Sequence, residues 1–337
     1  MKAGKYKAAV IGLGGISGVH IKSLDDIGVE ITALCDNKPD RAKAFQERGC
    51  AFFTDYEAML SKGGFDVLHI CLPHYLHAPV SIAALSKGIH VVCEKPMATN
   101  IADAENMIAA AKASGKKLEI IFQNRLNPSS QAIKAALDSG ALGRVQGGWL
   151  QVTWNRPEAY YTGSDWRGRW ATEGGGALIN QSIHTFDLMN YFLGNPTSVY
   201  GSIANRAHPA IEVEDVAEGV ISYGEINISF FVNTYHPYDA PVNLEIVCEK
   251  GRAFLNGDSA TIVYKDGKTI VVSNDDDTGK LCGKWYWGYS HIRQIRGVYE
   301  ALEDDIPPYV CGEEGLRTQK LINGIYDSAR LNQAVAL

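Results

Sequence analysis

The sequence predicts an α/β chain in two parts: a parallel sheet assembled from βαβ units, then a second α/β domain with an antiparallel sheet. Three observations carry that expectation. Short apolar runs alternate with helical patterns through the first third of the chain. The first run leads into "VIGLGGISGVH" (10–20), a glycine-rich turn that opens a helix. Well past the middle, strand-like segments succeed one another, two of them joined by Gly224-Glu225, a two-residue hairpin signal.

Residues 6–11 (YKAAVI), 29–35 (VEITALC), 66–72 (DVLHICL), 89–94 (IHVVCE) and 118–123 (LEIIFQ) read as buried strands. Between them, Pro39 stands where a helix starts and Gly49 where it stops, and a second helix ends at Gly88. "NIADAENMIAAAKASG" (100–115) carries its own start and its own glycine stop. From about 145 aromatic residues crowd a loop-rich stretch, and a helix follows over 176–193. In "INISFFVNTY" (226–235), Ile226, Ile228, Phe230 and Val232 alternate with Asn227, Ser229 and Asn233, so one sheet face is apolar. Helical patterns over 291–304 and 313–333 close the chain. The domain boundary is placed at 124/125, with the closing helix free to pack back on the first domain.

At 337 residues the chain exceeds one ordinary core. Its 46% hydrophobic and 21% charged residues are those of a soluble globular protein. A formal net charge of −6 without a dense Lys/Arg block argues against nucleic acid or a membrane surface as partner. Cysteines 35, 50, 71, 93, 248, 282 and 311 are scattered and form no C-x-x-C pair, which points to a reducing compartment and no metal site. The apolar stretch before Gly12 is shorter than the ~7 to 15 residues of a signal core. No run reaches the ~18 apolar residues of a membrane span, and a cytoplasmic location is expected.

In "VIGLGGISGVH", Gly12, Gly14 and Ser17 occupy a G-x-G-x-x-G frame with serine in the third place. The frame follows a strand and opens a helix, the context in which such a turn binds a dinucleotide. Gly12 permits the tight turn, and Gly14 lets the backbone approach a pyrophosphate held by the helix N-terminus. Asp36 ends the second strand, where an acid accepts hydrogen bonds from ribose hydroxyls. A carboxylate there favours NAD, while Lys38 and Arg41 close by leave NADP open.

"CEKPMATN" follows the fourth of these strands, and ligands of open α/β sheets bind beyond the carboxyl ends of strands. Lys95 precedes Pro96 and so is biased away from helix. It reads either as a hydrogen-bond donor or base toward a substrate hydroxyl, or as a surface lysine paired with Glu94. In "GGGALINQSIHTFD" (174–187), Asn180, His184 and Asp187 lie on one face at 3.6 residues per turn. Asp187 either orients the His184 imidazole or caps a neighbouring segment.

Taken together, "GLGGISGVH", "CEKP" and "GGGALINQSIHTFD" resemble the Gfo/Idh/MocA oxidoreductases, and the likeness extends to "QNRLNP", "ALGRV", "GYSHIRQI" and the closing "GEEGLRTQKLINGIYDSAR". The resemblance implies an N-terminal Rossmann domain and a C-terminal α/β domain built on a large, mainly antiparallel open sheet. That sheet would join a homodimer or homotetramer. It implies that Lys95 is the catalytic lysine, that the Lys95-Pro96 bond is cis, and that His184 lies beside the reacting carbon. It also puts "LPHYLH" (72–77) on the nicotinamide side of the cofactor. Candidate cofactor contacts are then Gly12, Gly14, Gly15, Ile16, Asp36, Asn37, Arg41, Cys71, Leu72, Pro73, His74, His77, Glu94, Lys95, Gln123, Trp166 and Arg167.

Many members carry Asp where this chain has Asn180, which can donate and accept hydrogen bonds but cannot act as a base. Proton transfer therefore falls on His184 and Lys95. Histidine suits the base role near neutral pH, and the lysine then polarises the substrate oxygen. The reaction implied moves a hydride between a secondary hydroxyl carbon and nicotinamide.

"NRPEAYYTGSDWRGRW" (155–170) supplies aromatic faces that stack on sugar rings and Arg forks that bind hydroxyls or anions. Candidate substrate contacts are Lys95, Arg125, Tyr161, Trp166, Arg167, Asn180, His184, Tyr235 and His291, with His236 nearby in sequence. The expected substrate is a sugar, polyol or sugar conjugate. A lyase or glycosidase that oxidises its sugar transiently and recycles NAD, and a non-catalytic NAD-binding sensor, are the two other readings.

Overall fold

A computed structural model describes residues 5–274 and 290–337, which divide into two units. Residues 5–123 and 290–316 form the first, and 124–274 with 317–337 form the second. Cys282, and Gly288 and Tyr289 of residues 288–295, lie outside the described residues.

The first unit is a six-stranded parallel sheet of β1 (Lys7–Ile11), β2 (Glu30–Cys35), β3 (Ala51–Phe53), β4 (Val67–Ile70), β5 (His90–Cys93) and β6 (Leu118–Ile120). Its order is β3-β2-β1-β4-β5-β6. The chain runs outward from β1 to β3 and then returns to β4 on the other side of β1. Such a reversal leaves a crevice at the carboxyl ends of β1 and β4. All five expected strands are present; β3 was not expected, because three residues carry no readable period.

Helices α1 (Ser17–Asp26), α2 (Tyr56–Lys62), α3 (His77–Ser86) and α4 (Ile101–Ser114) complete the crossovers. The helical start read at Pro39 is a 3-10 segment, Pro39–Arg48, ended by Gly49 at φ 67°. The start of α4 is fixed by Asn100, whose side chain accepts from the Asp103 N–H at 2.9 Å.

In the second unit α5 (Pro128–Asp138), α6 (Glu158–Thr162) and α7 (Ile183–Leu193) precede most of the strands. The later helix α8 (His291–Glu303) belongs to the first unit, where Ile295, Tyr299 and Leu302 share one core with Val10, Ile21 and Leu24. The last helix, α9 (Gly312–Leu331), is divided between the units. A single boundary at 124/125 therefore does not describe the chain, because the apolar face of α8 is buried on α1.

The second sheet has nine strands: β7 (Val145–Thr153), β8 (Ser198–Ala204), β9 (Val216–Tyr223), β10 (Ile226–Asn233), β11 (Asn243–Cys248), β12 (Gly251–Asn256), β13 (Ser259–Tyr264), β14 (Thr269–Ser273) and β15 (Val335–Ala336). Their order is β14-β13-β12-β11-β7-β10-β9-β8-β15, antiparallel except for the β7/β10 pair. The alternation in β10 buries Ile228, Phe230 and Val232, and Phe230 meets Phe186 of α7 edge to face at 5.3 Å. Each such side chain contributes about 1.5–3 kcal/mol by leaving water. Among the described residues no helix is long and apolar enough to cross a membrane.

Candidate active site

The glycine turn is built by close packing of strand ends. Gly12 has φ +83°, and a Cβ there would lie 2.5 Å from the Cys71 carbonyl oxygen at the end of β4. Only glycine lets the two strands meet there. Ser17 is buried and donates to the Gly14 carbonyl at 2.7 Å, so a hydroxyl fastens the first turn of α1. Gly14 and Ile16 are half-buried and Gly15 is exposed, which leaves the backbone of this helix N-terminus open on one side.

Asp36 is buried and accepts from the Leu13 N–H (2.8 Å), the Lys38 N–H (2.8 Å) and Arg41 Nη1 (2.7 Å). A carboxylate has about four acceptor positions, so one stays available to an outside donor such as a ribose hydroxyl. Asn37 is exposed and Arg41 half-exposed beside it. An open turn at a helix N-terminus with an acid at the end of the next strand fits a dinucleotide.

After β4, Leu72 and Pro73 are half-buried, whereas Cys71, His74 and His77 are buried. Burial pushes the Cys71 thiol well above its usual range, so it is not a nucleophile. Both ring nitrogens of His77 face backbone carbonyls, Nδ1 that of Pro96 at 2.7 Å and Nε2 that of Leu72 at 2.8 Å. The His77 ring thus sits between the loop after β4 and the loop after β5. Gln123 is buried and opens the 3-10 turn Gln123–Leu126 that follows β6.

Lys95 follows β5, is half-buried, and is joined to Pro96 by a cis peptide bond. Its backbone N–H donates to Glu94 Oε2 at 3.1 Å. Glu94 Oε1 lies 3.0 Å from His20 Nε2 and 3.5 Å from His291 Nε2. Burial works to raise the Glu94 pKa, but the hydrogen bonds from His20 and His291 hold it well below the usual carboxylate range. Glu94 and His291 were expected to touch cofactor and substrate; both turn inward, toward each other. His20 was missed, although it stands in the same quoted motif, three residues after Ser17.

In the second unit, Ala177–Ser182 is a π-helix that continues into α7. Its wider i→i+5 turn changes the phase of the residues before α7. The single polar face expected from the sequence is therefore split. Asn180 donates its amide to the buried Glu173 carboxylate and to the Tyr160 hydroxyl (3.3 Å). Asp187 is clamped by Arg125, through Nε at 2.8 Å and Nη2 at 2.7 Å, and by Thr318 Oγ1 at 2.9 Å. Arg125 and Asp187 thus form a buried ion pair. His184 is half-buried in the first turn of α7.

Two of the three glycines, Gly175 and Gly176, have an internal cause. Gly175 has φ +143°, and a Cβ there would lie 1.9 Å from the Tyr326 hydroxyl; one on Gly176 would lie 2.2 Å from the Glu214 carbonyl oxygen. The Glu214 carboxylate accepts from the N–H of Gly176 (3.0 Å) and of Leu178 (2.9 Å) and from Tyr326 (2.9 Å). Burial pushes Glu214 up to about 7 against those donors.

Of the aromatic pair, Tyr161 is a core residue: it packs on Ile211 and Val213 and donates to Thr234 Oγ1 at 3.1 Å. Its neighbour Tyr160 packs on the same cluster, with its ring edge to face on Tyr161 at 5.1 Å. Tyr160 receives Gln181 Nε2 at 3.0 Å and carries the Arg167 guanidinium over its ring at 4.2 Å. Arg167 also lies 5.1 Å from the Trp166 ring, and its buried Nε has no hydrogen-bond partner among the described residues. Tyr235 forms an isolated bridge with Asn155, and the His236 ring meets Tyr238 at 4.7 Å.

Residues 6–122 match the oxidoreductase family with an NAD-binding Rossmann fold, and residues 130–254 match the GFO/IDH/MocA C-terminal domain. The chain belongs to this family. A D-glucoside 3-dehydrogenase from Escherichia coli K12 is 31% identical, the alignment covering 100% of this chain and 99% of that one. A D-apiose dehydrogenase from Paraburkholderia graminis is 26% identical over 99% of this chain and 90% of its own length. The WlbA dehydrogenase from Bordetella pertussis, solved with NADH and UDP-GlcNAcA, has a TM-score of 0.86 and 31% identity, covering 99% of each chain.

Proposed function

We propose that this family member is an NAD-dependent dehydrogenase that oxidises a secondary ring hydroxyl of a glycoside or related sugar conjugate, with the 3-hydroxyl as first candidate. One observation carries it: full-length likeness to a D-glucoside 3-dehydrogenase, in a chain whose lysine stands at the carboxyl edge of the parallel sheet. Likeness to a dehydrogenase that holds a nucleotide-linked sugar acid supports a substituted sugar as substrate.

The bound cofactor supplies a hydride acceptor. The chain's own groups bind, orient and move protons. The open turn from Gly12 to Ile16 and the Asp36 carboxylate hold the dinucleotide. Lys95 donates from its ammonium to the reacting oxygen and stabilises developing alkoxide, and His184 takes the hydroxyl proton. Asn180, committed to Glu173, positions and does not titrate. Trp166 and Arg167 offer a ring face and a guanidinium donor to the sugar.

Absorbance at 340 nm with NAD and methyl glucosides tests this, with free aldoses and inositols as comparisons. Reduction with the glucosides, and its loss with their 3-deoxy analogues, is expected. Lys95→Ala and His184→Ala should each lower kcat at least ~100-fold. Sugar product without net NADH would replace the dehydrogenase by an NAD-recycling lyase. NAD binding without reduction by any sugar would leave a sensor.

A further inference from the structure

Four polar side chains stand in a row behind Lys95, all buried and all in the first unit: Glu94 after β5, His20 on α1, His69 on β4 and Tyr299 on α8. His20 Nε2 lies 3.0 Å from Glu94 Oε1, His20 Nδ1 lies 3.0 Å from His69 Nδ1, and His69 Nε2 lies 2.9 Å from the Tyr299 hydroxyl. His291, the first residue of α8, brings a second imidazole to Glu94 at 3.5 Å.

A neutral imidazole carries one donor and one acceptor nitrogen, and a carboxylate only accepts. Burial and the neighbouring His20 keep His69 well below the usual histidine range, and burial lowers His291. An ionised Glu94 can only accept, so His20 donates from Nε2. His69 meets His20 through Nδ1 and Tyr299 through Nε2, donating at one nitrogen and accepting at the other. Burial keeps the Tyr299 phenol protonated. The other carboxylate oxygen of Glu94 takes the Lys95 N–H.

We propose that Glu94 and His20 are positioning residues for Lys95: the row fixes a buried carboxylate behind the lysine, which anchors its backbone and keeps its ε-ammonium charged. Apolar side chains of equal volume would join these elements at a lower desolvation cost. They would not place a negative charge one residue from Lys95. The other groups that face Glu94 do not supply a competing charge: burial keeps the Cys71 and Cys93 thiols protonated and lowers His77. The inference rests on Lys95 acting as an ammonium, as proposed above.

The test reads Lys95 itself. The full chain is acetylated with acetic anhydride over a pH series, and the Lys95 peptide is quantified by mass spectrometry against exposed Lys62. Wild-type Lys95 should show a titration midpoint at or above that of Lys62. Glu94→Gln should lower it by about one pH unit, the effect of losing a nearby opposite charge. His20→Phe should lower it as well. His20→Gln, which can still donate to Glu94, should restore most of the shift. In an active enzyme the basic limb of kcat/KM moves to lower pH by the same amount, because the working form is the ammonium. A wild-type midpoint below that of Lys62 overturns the proposal without any variant. So does a folded Glu94→Gln protein with an unmoved midpoint. Full activity of Lys95→Ala would instead overturn the role given to the lysine, a result the labelling does not depend on.

Discussion

Asn180 donates to the carboxylate of Glu173, which is 0% exposed. An aspartate at 180 would set two carboxylates against each other inside the protein, and one would have to take up a proton. The amide is thus matched to its neighbour, and the departure from the family pattern has a local physical cause. Asn180→Asp should raise the folded-state pKa of the pair above its unfolded value. The stability it retains is then present at low pH and lost as pH rises. Urea unfolding should show the variant near wild type at pH 5 and about 1–3 kcal/mol weaker at pH 8, the cost of an unmade buried hydrogen bond to a charged group. Adding Glu173→Gln should remove the pH dependence. Equal unfolding midpoints for wild type and Asn180→Asp at both pH values would contradict the pairing.

The π-helix at Ala177–Ser182 depends on contacts that no local pattern contains. Glu214 and Tyr326 are distant in sequence, yet they tie down the backbone of Gly176 and Leu178. A 3.6-residue reading therefore aligned Asn180, His184 and Asp187 on one face that the fold divides. The strands of the first sheet were legible because burial on both faces leaves continuous apolar runs, as in "DVLHICL". The glycine turn and Lys95 were legible for a related reason: they sit where a strand ends. The row from Tyr299 to Glu94 was not, since it joins α8, β4, α1 and β5 only through tertiary packing.

The π-helix anchor makes its own prediction. Burial pushes Glu214 from the ordinary carboxylate range, near 4.5, up to about 7 in the fold. Its stabilisation is fully present below about 4.5 and is lost as pH rises through about 7. Over that window the segment should weaken by up to about 1.4 kcal/mol per pH unit. Hydrogen exchange of the amides over 177–182, corrected for the intrinsic rate, should report more opening at pH 8 than at pH 5. Glu214→Gln should flatten the difference, and an unchanged profile in that variant would assign the pH dependence elsewhere.

One face of the nine-stranded sheet carries exposed large apolar side chains. Its helices cover the side bearing Leu244, Ile246 and Leu255, which is buried. On the other side the strand registers align Tyr200, Val220, Ser229, Trp149, Glu245, Phe254, Thr261 and Val271 in one row across eight strands. Tyr200 is 49% exposed and Val271 62%, and the Trp149 and Phe254 rings lie 6.1 Å apart. Glu245 interrupts the row but is neutralised by Arg252 at 2.8 Å and accepts from the Trp149 indole at 2.9 Å. Tyr200, Trp149, Phe254 and Val271 make the stripe largely apolar, its one carboxylate is paired, and a two-fold axis would set such a stripe against its own copy, where a stable interface buries ~800 Å² per partner. A second copy of this chain is the expected occupant. Light scattering across a concentration series should give a mass at least twice the 36.7 kDa of one chain. Trp149→Glu with Phe254→Glu should bring it down to one chain while circular dichroism stays unchanged. A wild-type protein that runs at 36.7 kDa at every concentration would rule the interface out.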